Sequence, residues 1–166
     1  MRRRAAFGAL ILMLAVVPGC HSSLLDLGSE ADRQGVVDGK NEVMVNGIRV
    51  TLSLSPSEVE RTYSFTARVS LTNTGSQTAT WTSGYGCLAF LNVYRSGERI
   101  PLKGTDFGCI AAVGSWQIAP GDSLVGEYPL RAQRTDGAPL APGEYRLEAD
   151  LNTASGLTLE HRLVVK

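Results

Sequence analysis

The sequence predicts an all-β fold, an antiparallel β-sandwich of immunoglobulin-like type with seven to nine strands. Three observations carry this expectation. Apolar and polar residues alternate with a period of two in several stretches after Lys40, and turn-forming Gly, Pro and Asn interrupt them about every eight to twelve residues. No stretch after Lys40 shows a long apolar stripe at helical spacing. A small β-barrel is the alternative way to close such strands.

The first strands are predicted by Val43 and Val45, then Asn46-Gly47, then Ile48, Val50, Leu52 and Leu54. Asn-Gly between alternating segments is a strong hairpin signal, because both residues accept the positive φ of a type I′ turn. In the next strand Tyr63, Phe65, Ala67, Val69 and Leu71 face one way and Ser64, Thr66, Arg68, Ser70 and Thr72 the other, until Asn73-Thr74-Gly75-Ser76 turns the chain. Short strands follow at Thr78 to Thr82 and at Leu88 to Tyr94, the second ended by Arg95-Ser96-Gly97-Glu98. Arg99 to Leu102 returns, and Trp116 to Ile118 leads into Ala119-Pro120-Gly121-Asp122. Leu124 to Leu130 is the next strand, before a polar loop through Arg134 and Gly137. Pro142-Gly143 opens a strand carrying Tyr145, Leu147, Ala149 and Leu151, and Leu157 to Val165 is the last. A tyrosine just inside a late strand can bond its hydroxyl back to a nearby loop, as sandwiches of this type do.

The N-terminus reads differently. Met1-Arg2-Arg3-Arg4 precedes 13 apolar residues from Ala5 to Val17, and Val17-Pro18-Gly19-Cys20 closes the run. As a helix it rises only about 20 Å, short of the ~30 Å hydrocarbon core, so it is an export signal and not a span. The closing residues resemble the lipobox of bacterial lipoproteins, which implies a diacylglycerylated thiol and an acylated amine on Cys20. An ordinary signal peptide ending near a cysteine is the alternative. Several acyl chains, at ~0.8 kcal/mol per buried methylene, would hold the protein at a membrane. His21, in place of an acidic residue, points to the outer membrane. The expected organisation is a signal at residues 1–19, a lipidated cysteine and flexible tether at 20–40, and one domain at 41–166. The tether is polar apart from Leu24, Leu25 and Leu27, which can also form a brief turn or dock on the domain.

Composition narrows the function. Sixteen basic residues balance sixteen acidic ones, and losing Arg2, Arg3 and Arg4 with the signal leaves thirteen against sixteen. That balance is no footprint for nucleic acid. With Cys20 lipidated, Cys87 and Cys109 remain as a pair in an oxidising compartment, so a disulfide is expected, with two buried free thiols the alternative. The histidines, His21 and His161, are too few and too scattered for a metal site, and neither a metal nor a cofactor is expected.

The segments Val69-Ser70-Leu71-Thr72-Asn73-Thr74-Gly75, Trp81-Thr82-Ser83-Gly84, Val93-Tyr94 with Gly97, Ile118-Ala119-Pro120-Gly121-Asp122 and Pro142-Gly143-Glu144-Tyr145 occur in an order that resembles the BsuPI-type domain. That bacterial family is named after an intracellular proteinase inhibitor. The resemblance covers roughly Val43 to Val164 and implies an immunoglobulin-like sandwich and inhibition of a proteinase. Predicted export and the Cys87 and Cys109 pair depart from the family's pattern.

No nucleophile elbow, Ser-x-x-Lys, His-Glu-x-x-His or phosphate-cradling loop is present, and Asp106, Asp122, Glu127 and Glu148 are scattered. The expectation is therefore a non-catalytic, monomeric binding domain held at an extracytoplasmic membrane face, with an envelope protein, a wall polymer or a proteinase as partner. An envelope enzyme with a dispersed site is the alternative. The segments from Ser83 to Cys87 and from Thr105 to Cys109 each present an aromatic, Tyr85 and Phe107, on a loop that a disulfide would constrain. Such side chains bury much area for little lost entropy, although they can equally cover the disulfide. Trp81 and Trp116 are expected in the core.

Overall fold

The structure, a computed structural model, describes residues 41–106 and 108–166. The expected signal, Cys20, the tether and Phe107 lie outside the described residues. The chain forms strands β1 (Glu42–Val45), β2 (Ile48–Ser55), β3 (Glu58–Val59), β4 (Ser64–Asn73), β5 (Ala79–Ser83), β6 (Phe90–Arg95), β7 (Glu98–Arg99), β8 (Gly114–Ile118), β9 (Ser123–Arg131), β10 (Gly143–Asp150) and β11 (Thr158–Val165). Among the described residues no helix is long and apolar enough to cross a membrane.

The order β1-β2-β4-β9 makes one sheet and β3-β11-β10-β6-β7 the other, while β5 and β8 pair as a separate ribbon. The pairings are antiparallel except that of β3 with β11. Two-residue β3 escapes sequence reading because so short a pairing has no period, and the return expected at Arg99 to Leu102 forms strand only at Glu98–Arg99, as β7; the other nine strands have four residues or more. At the β1–β2 turn Asn46 and Gly47 take φ of 48° and 79°, as a type I′ hairpin requires.

The two sheets share one core, which makes the fold a sandwich. Val50 and Leu52 of β2 and Phe65, Ala67, Val69 and Leu71 of β4 pack in the same cluster as Leu147 and Ala149 of β10 and Leu159 and Leu163 of β11. Burying each of the larger side chains stabilises the fold by about 1.5–3 kcal/mol. Tyr63 departs from its expected face and is 66% exposed. The chain turns at Thr62, with φ of 69°, and β4 begins only at Ser64, so Tyr63 precedes the pleat that buries its neighbours.

Tyr145 does bond back. Its hydroxyl donates to the Ala141 carbonyl at 2.8 Å, and Arg95 donates both to that hydroxyl at 3.2 Å and to the Pro142 carbonyl at 2.9 Å. The loop before β10 is thereby tied to the end of β6. On the other side of the core, buried Tyr128 of β9 accepts the Ala89 N–H on its hydroxyl at 3.0 Å.

A second polar anchor sits at the end of β4, where Asn73 is only 1% exposed. Its Nδ2 donates to the carbonyls of Gln77 at 2.7 Å and Ile118 at 2.8 Å, and its Oδ1 accepts the Gly75 N–H at 2.9 Å. Its own N–H donates to the Asp122 carbonyl and its carbonyl accepts from Gly121. One side chain thus closes the β4–β5 turn and fastens the ribbon to the first sheet.

Two consequences are open to measurement. Asn73→Ala strands the buried Ile118 carbonyl and should lower unfolding free energy by about 2–3 kcal/mol in urea titration; a loss under about 0.5 kcal/mol would remove the anchoring role. Burial raises the Tyr128 pKa above its ordinary 10.0, against the opposing hydrogen bond from Ala89. The unfolded chain then releases this proton first, so folding stability falls as pH rises above that ordinary value. Tyr128→Phe should cost about 1 kcal/mol at neutral pH and flatten that alkaline decline; equal slopes for both proteins would contradict the burial argument.

Candidate functional site

The ribbon leads into the loops singled out by the cysteine pair. Trp81 of β5 stands in register with Trp116 of β8, and Thr80 and Gln117 pair their side chains beside them. Trp81 is buried as expected, whereas Trp116 is only partly so and lays its ring over Gly114, where any Cβ would overlap it. After β5 the chain reverses at Ser83, whose buried hydroxyl donates to the Cys87 carbonyl at 3.1 Å.

Two glycines allow the reversal to pack closely. The Gly84 N–H donates to the Asn152 carbonyl at 3.0 Å, and a Cβ there would come within 2.6 Å of the Asn152 amide. The Gly86 N–H donates to the Ile110 carbonyl at 3.1 Å, and a Cβ there would overlap the Ile110 side chain. Cys87 and Cys109 then form the expected disulfide, their Cα atoms 5.4 Å apart. The Gly86–Ile110 bond and the disulfide therefore hold the two loops together, while the Gly84 bond ties the first of them to the β10–β11 connection.

What these loops present is apolar. Tyr85 is 42% exposed, its ring meeting Phe90 edge to face at 5.2 Å, so it both covers the start of β6 and shows a face to solvent. Beside it, Ile110 and Val113 are 71% and 69% exposed, with the exposed Ala111 and Ala112 between them. Contiguous exposed apolar surface on a folded domain marks an interaction site far more often than scattered single residues do. Ile110 and Val113 escaped the sequence reading because an uncharged Ile-Ala-Ala-Val run looks like part of a buried strand. The signal that could have exposed it is its place between Cys109 and Gly114, too short to alternate.

The charged residues gather elsewhere, on the outer face of the second sheet. Arg146 bridges Glu148 and Glu160 at 2.7 Å each and lies 5.0 Å from the centre of the Tyr94 ring. Arg162 and Glu144 form a further pair. Partial burial raises the Glu148 pKa, while Arg146 opposes it. Both carboxylates are engaged by one guanidinium, an arrangement that braces the β10–β11 face. The ring of His161 contacts its neighbour's carbonyl, that of Arg162, at 2.8 Å. No group of three potential metal ligands occurs among the described residues.

No family model and no curated protein matches the chain. Similar solved structures include a β-glucosidase from Erythrobacter marinus, 15% identical over 70% of this chain and 16% of that one, with a TM-score of 0.39. The CARDB domain of a Pyrococcus furiosus protein, in complex with di-metal ions, is 13% identical over 73% of this chain and 90% of that domain, with a TM-score of 0.38. A Bacillus subtilis protein is 9% identical over 75% of this chain and 96% of its own, with a TM-score of 0.36. The chain spans about a sixth of the length of the β-glucosidase.

The disulfide closes a loop across a sequence separation of 22. In the chain-entropy account a Cys87→Ala, Cys109→Ala double variant should lose about 3 kcal/mol of stability and become sensitive to protease between Thr105 and Val113. Unchanged stability and cleavage would show that the close glycine contacts alone hold the loops.

Proposed function

We propose that the chain is a lipid-anchored protein of the bacterial cell envelope whose sandwich is a non-catalytic module that binds another protein through the stapled loops. The exposed apolar run from Ile110 to Val113 beside Tyr85 carries this reading. Such a run costs solvation in the free domain and is compensated when a partner's apolar surface covers it. A disulfide and three neighbouring hydrogen bonds limit the entropy lost when the loops are fixed on binding.

Asn41 pairs with Leu52, and β1 then runs to the Asn46-Gly47 turn. The stapled loops join the Asn152–Leu157 connection, which lies by the same turn. The resemblance to the inhibitor family supports a proteinase as one such partner.

Cross-linking in intact envelopes from lysates of the source bacterium, followed by identification of the linked species, tests the reading. A discrete protein should be captured by the wild type and lost, at least tenfold, with Ile110→Asp, Val113→Asp, while the intact mass keeps two or more acyl chains on Cys20. Cross-links only to lipid, or equal capture by the variant, would overturn the binding claim. An unmodified Cys20 thiol would overturn the anchoring claim separately.

A further inference from the structure

β9 is an edge of the first sheet, and with nine residues it is the longest edge strand of the domain; the others have five residues or fewer. Its two ends fix the phase of its backbone. Asp122, just before it, accepts the Asn73 N–H, and Ala132, just after it, donates to the Tyr63 carbonyl, both toward β4. Arg131 donates the other way, to the Lys103 carbonyl at 3.1 Å. Hydrogen-bonding direction alternates along an antiparallel strand, so Leu124, Gly126, Tyr128 and Leu130 turn their backbone groups to β4. Those of Ser123, Val125 and Glu127 point outward, where among the described residues no strand pairs with them.

Natural sheets blunt such an edge with proline, lysine or a covering loop. β9 has these devices at one end only. Pro129 offers no N–H, and the chain at Lys103 and Gly104 lies over it, so that a Cβ on Gly104 would come within 2.6 Å of the Pro129 carbonyl oxygen. Ser123 to Glu127 contains neither proline nor lysine, and Val125 in its middle is 37% exposed.

We propose that this stretch pairs with the same stretch of a second copy of the chain, antiparallel about a two-fold axis through Val125. The register follows from the residues. With Val125 opposite Val125, Ser123 faces Glu127, and each facing pair exchanges two backbone hydrogen bonds. On the inner side half-buried Leu124 faces Gly126, which has no side chain to obstruct it. Moving the axis to Gly126 sets Ser123 against Pro129, which has no N–H to give, and moving it to Glu127 sets two carboxylates against each other.

The Val125 register also brings the partner copy's Gly121 opposite Pro129. Gly104, Asp106, Glu127, Tyr128 and Pro129 line a recess of about 410 Å³ there, and the exposed turn at Pro120, Gly121 and Asp122 is compact enough to enter it. A peptide of another protein would satisfy the same backbone groups. A second copy satisfies them and also matches every side chain across the axis. The pairing uses neither Tyr85 nor the run from Ile110 to Val113, so it stands or falls without the protein partner proposed above.

Cysteine cross-linking of the full-length chain tests both the pairing and its register. Across the axis two Val125 Cα atoms would lie about 5.5 Å apart, within reach of a disulfide, whereas two Ser123 or two Glu127 would lie at least about 13 Å apart. Val125→Cys, Ser123→Cys and Glu127→Cys chains are oxidised with copper phenanthroline in cells expressing them and separated without reductant, with the Cys87–Cys109 bond verified by peptide mapping. Val125→Cys should give a covalent dimer at least tenfold more abundant than either other single variant gives. Differently tagged Ser123→Cys and Glu127→Cys chains, expressed together, should cross-link to each other. Glu127→Pro removes an outward N–H that β4 does not use, as Pro129 already does two residues on, and should cut the Val125→Cys dimer at least tenfold with the circular dichroism spectrum unchanged. A monomer throughout, cross-links only to other proteins, equal dimer from all three single variants, or a dimer that survives Glu127→Pro would each overturn the proposal.

Discussion

The position of the ribbon depends on Asn73. A buried amide with three side-chain hydrogen bonds is a demanding feature, because each group it satisfies becomes a penalty if the geometry slips. Here the demand is useful. The ribbon of β5 and β8 belongs to neither large sheet by backbone pairing, so nothing in the ladders sets where it lies. Asn73 reaches from the last residue of β4 to Gln77 before β5 and to Ile118 at the end of β8, and this fixes both ribbon strands against the first sheet. The stapled loops grow out of that ribbon. Their placement therefore depends on this side chain together with the burial of Trp81 and Ile118 in the shared core.

From that base the loops are held by contacts that tolerate no side chain. Gly84 and Gly86 lie against Asn152 and Ile110, so the loop after β5 is clamped on one side to the β10–β11 connection and on the other to the segment before β8. The disulfide adds a covalent tie at the far end of the second clamp. The segment before β8, tied to that loop by the Gly86–Ile110 bond and the disulfide, carries Ile110 and Val113 in water without collapsing onto the core to hide them. Exposure here is a product of constraint rather than of a lack of it.

Most of the fold was legible in the sequence because it rests on local, repeated signals. Alternation in Phe65 to Leu71 and in Tyr145 to Ala149 reports a two-residue period directly, and Asn46-Gly47 reports a hairpin because few other pairs accept its dihedrals. The tyrosine of Pro142-Gly143-Glu144-Tyr145 bonds to a carbonyl four residues before it, so that contact too is local. The cysteine pair was legible by parity. Asn73 was legible only as a turn residue, since its decisive bond to Ile118 spans 45 positions and leaves no trace in spacing. The exposure of Ile110 and Val113 was hidden for a related reason: it follows from which loop is clamped to which, a property of the tertiary contacts.

The apolar run and the connection from Asn152 to Leu157 are both fastened to the loop after β5. The apolar run carries no polar atoms beyond its backbone and stands exposed. Gly84 and Asn152 are joined through a single backbone hydrogen bond. That bond ties the loop after β5 to the connection before β11, so the two segments share one constraint.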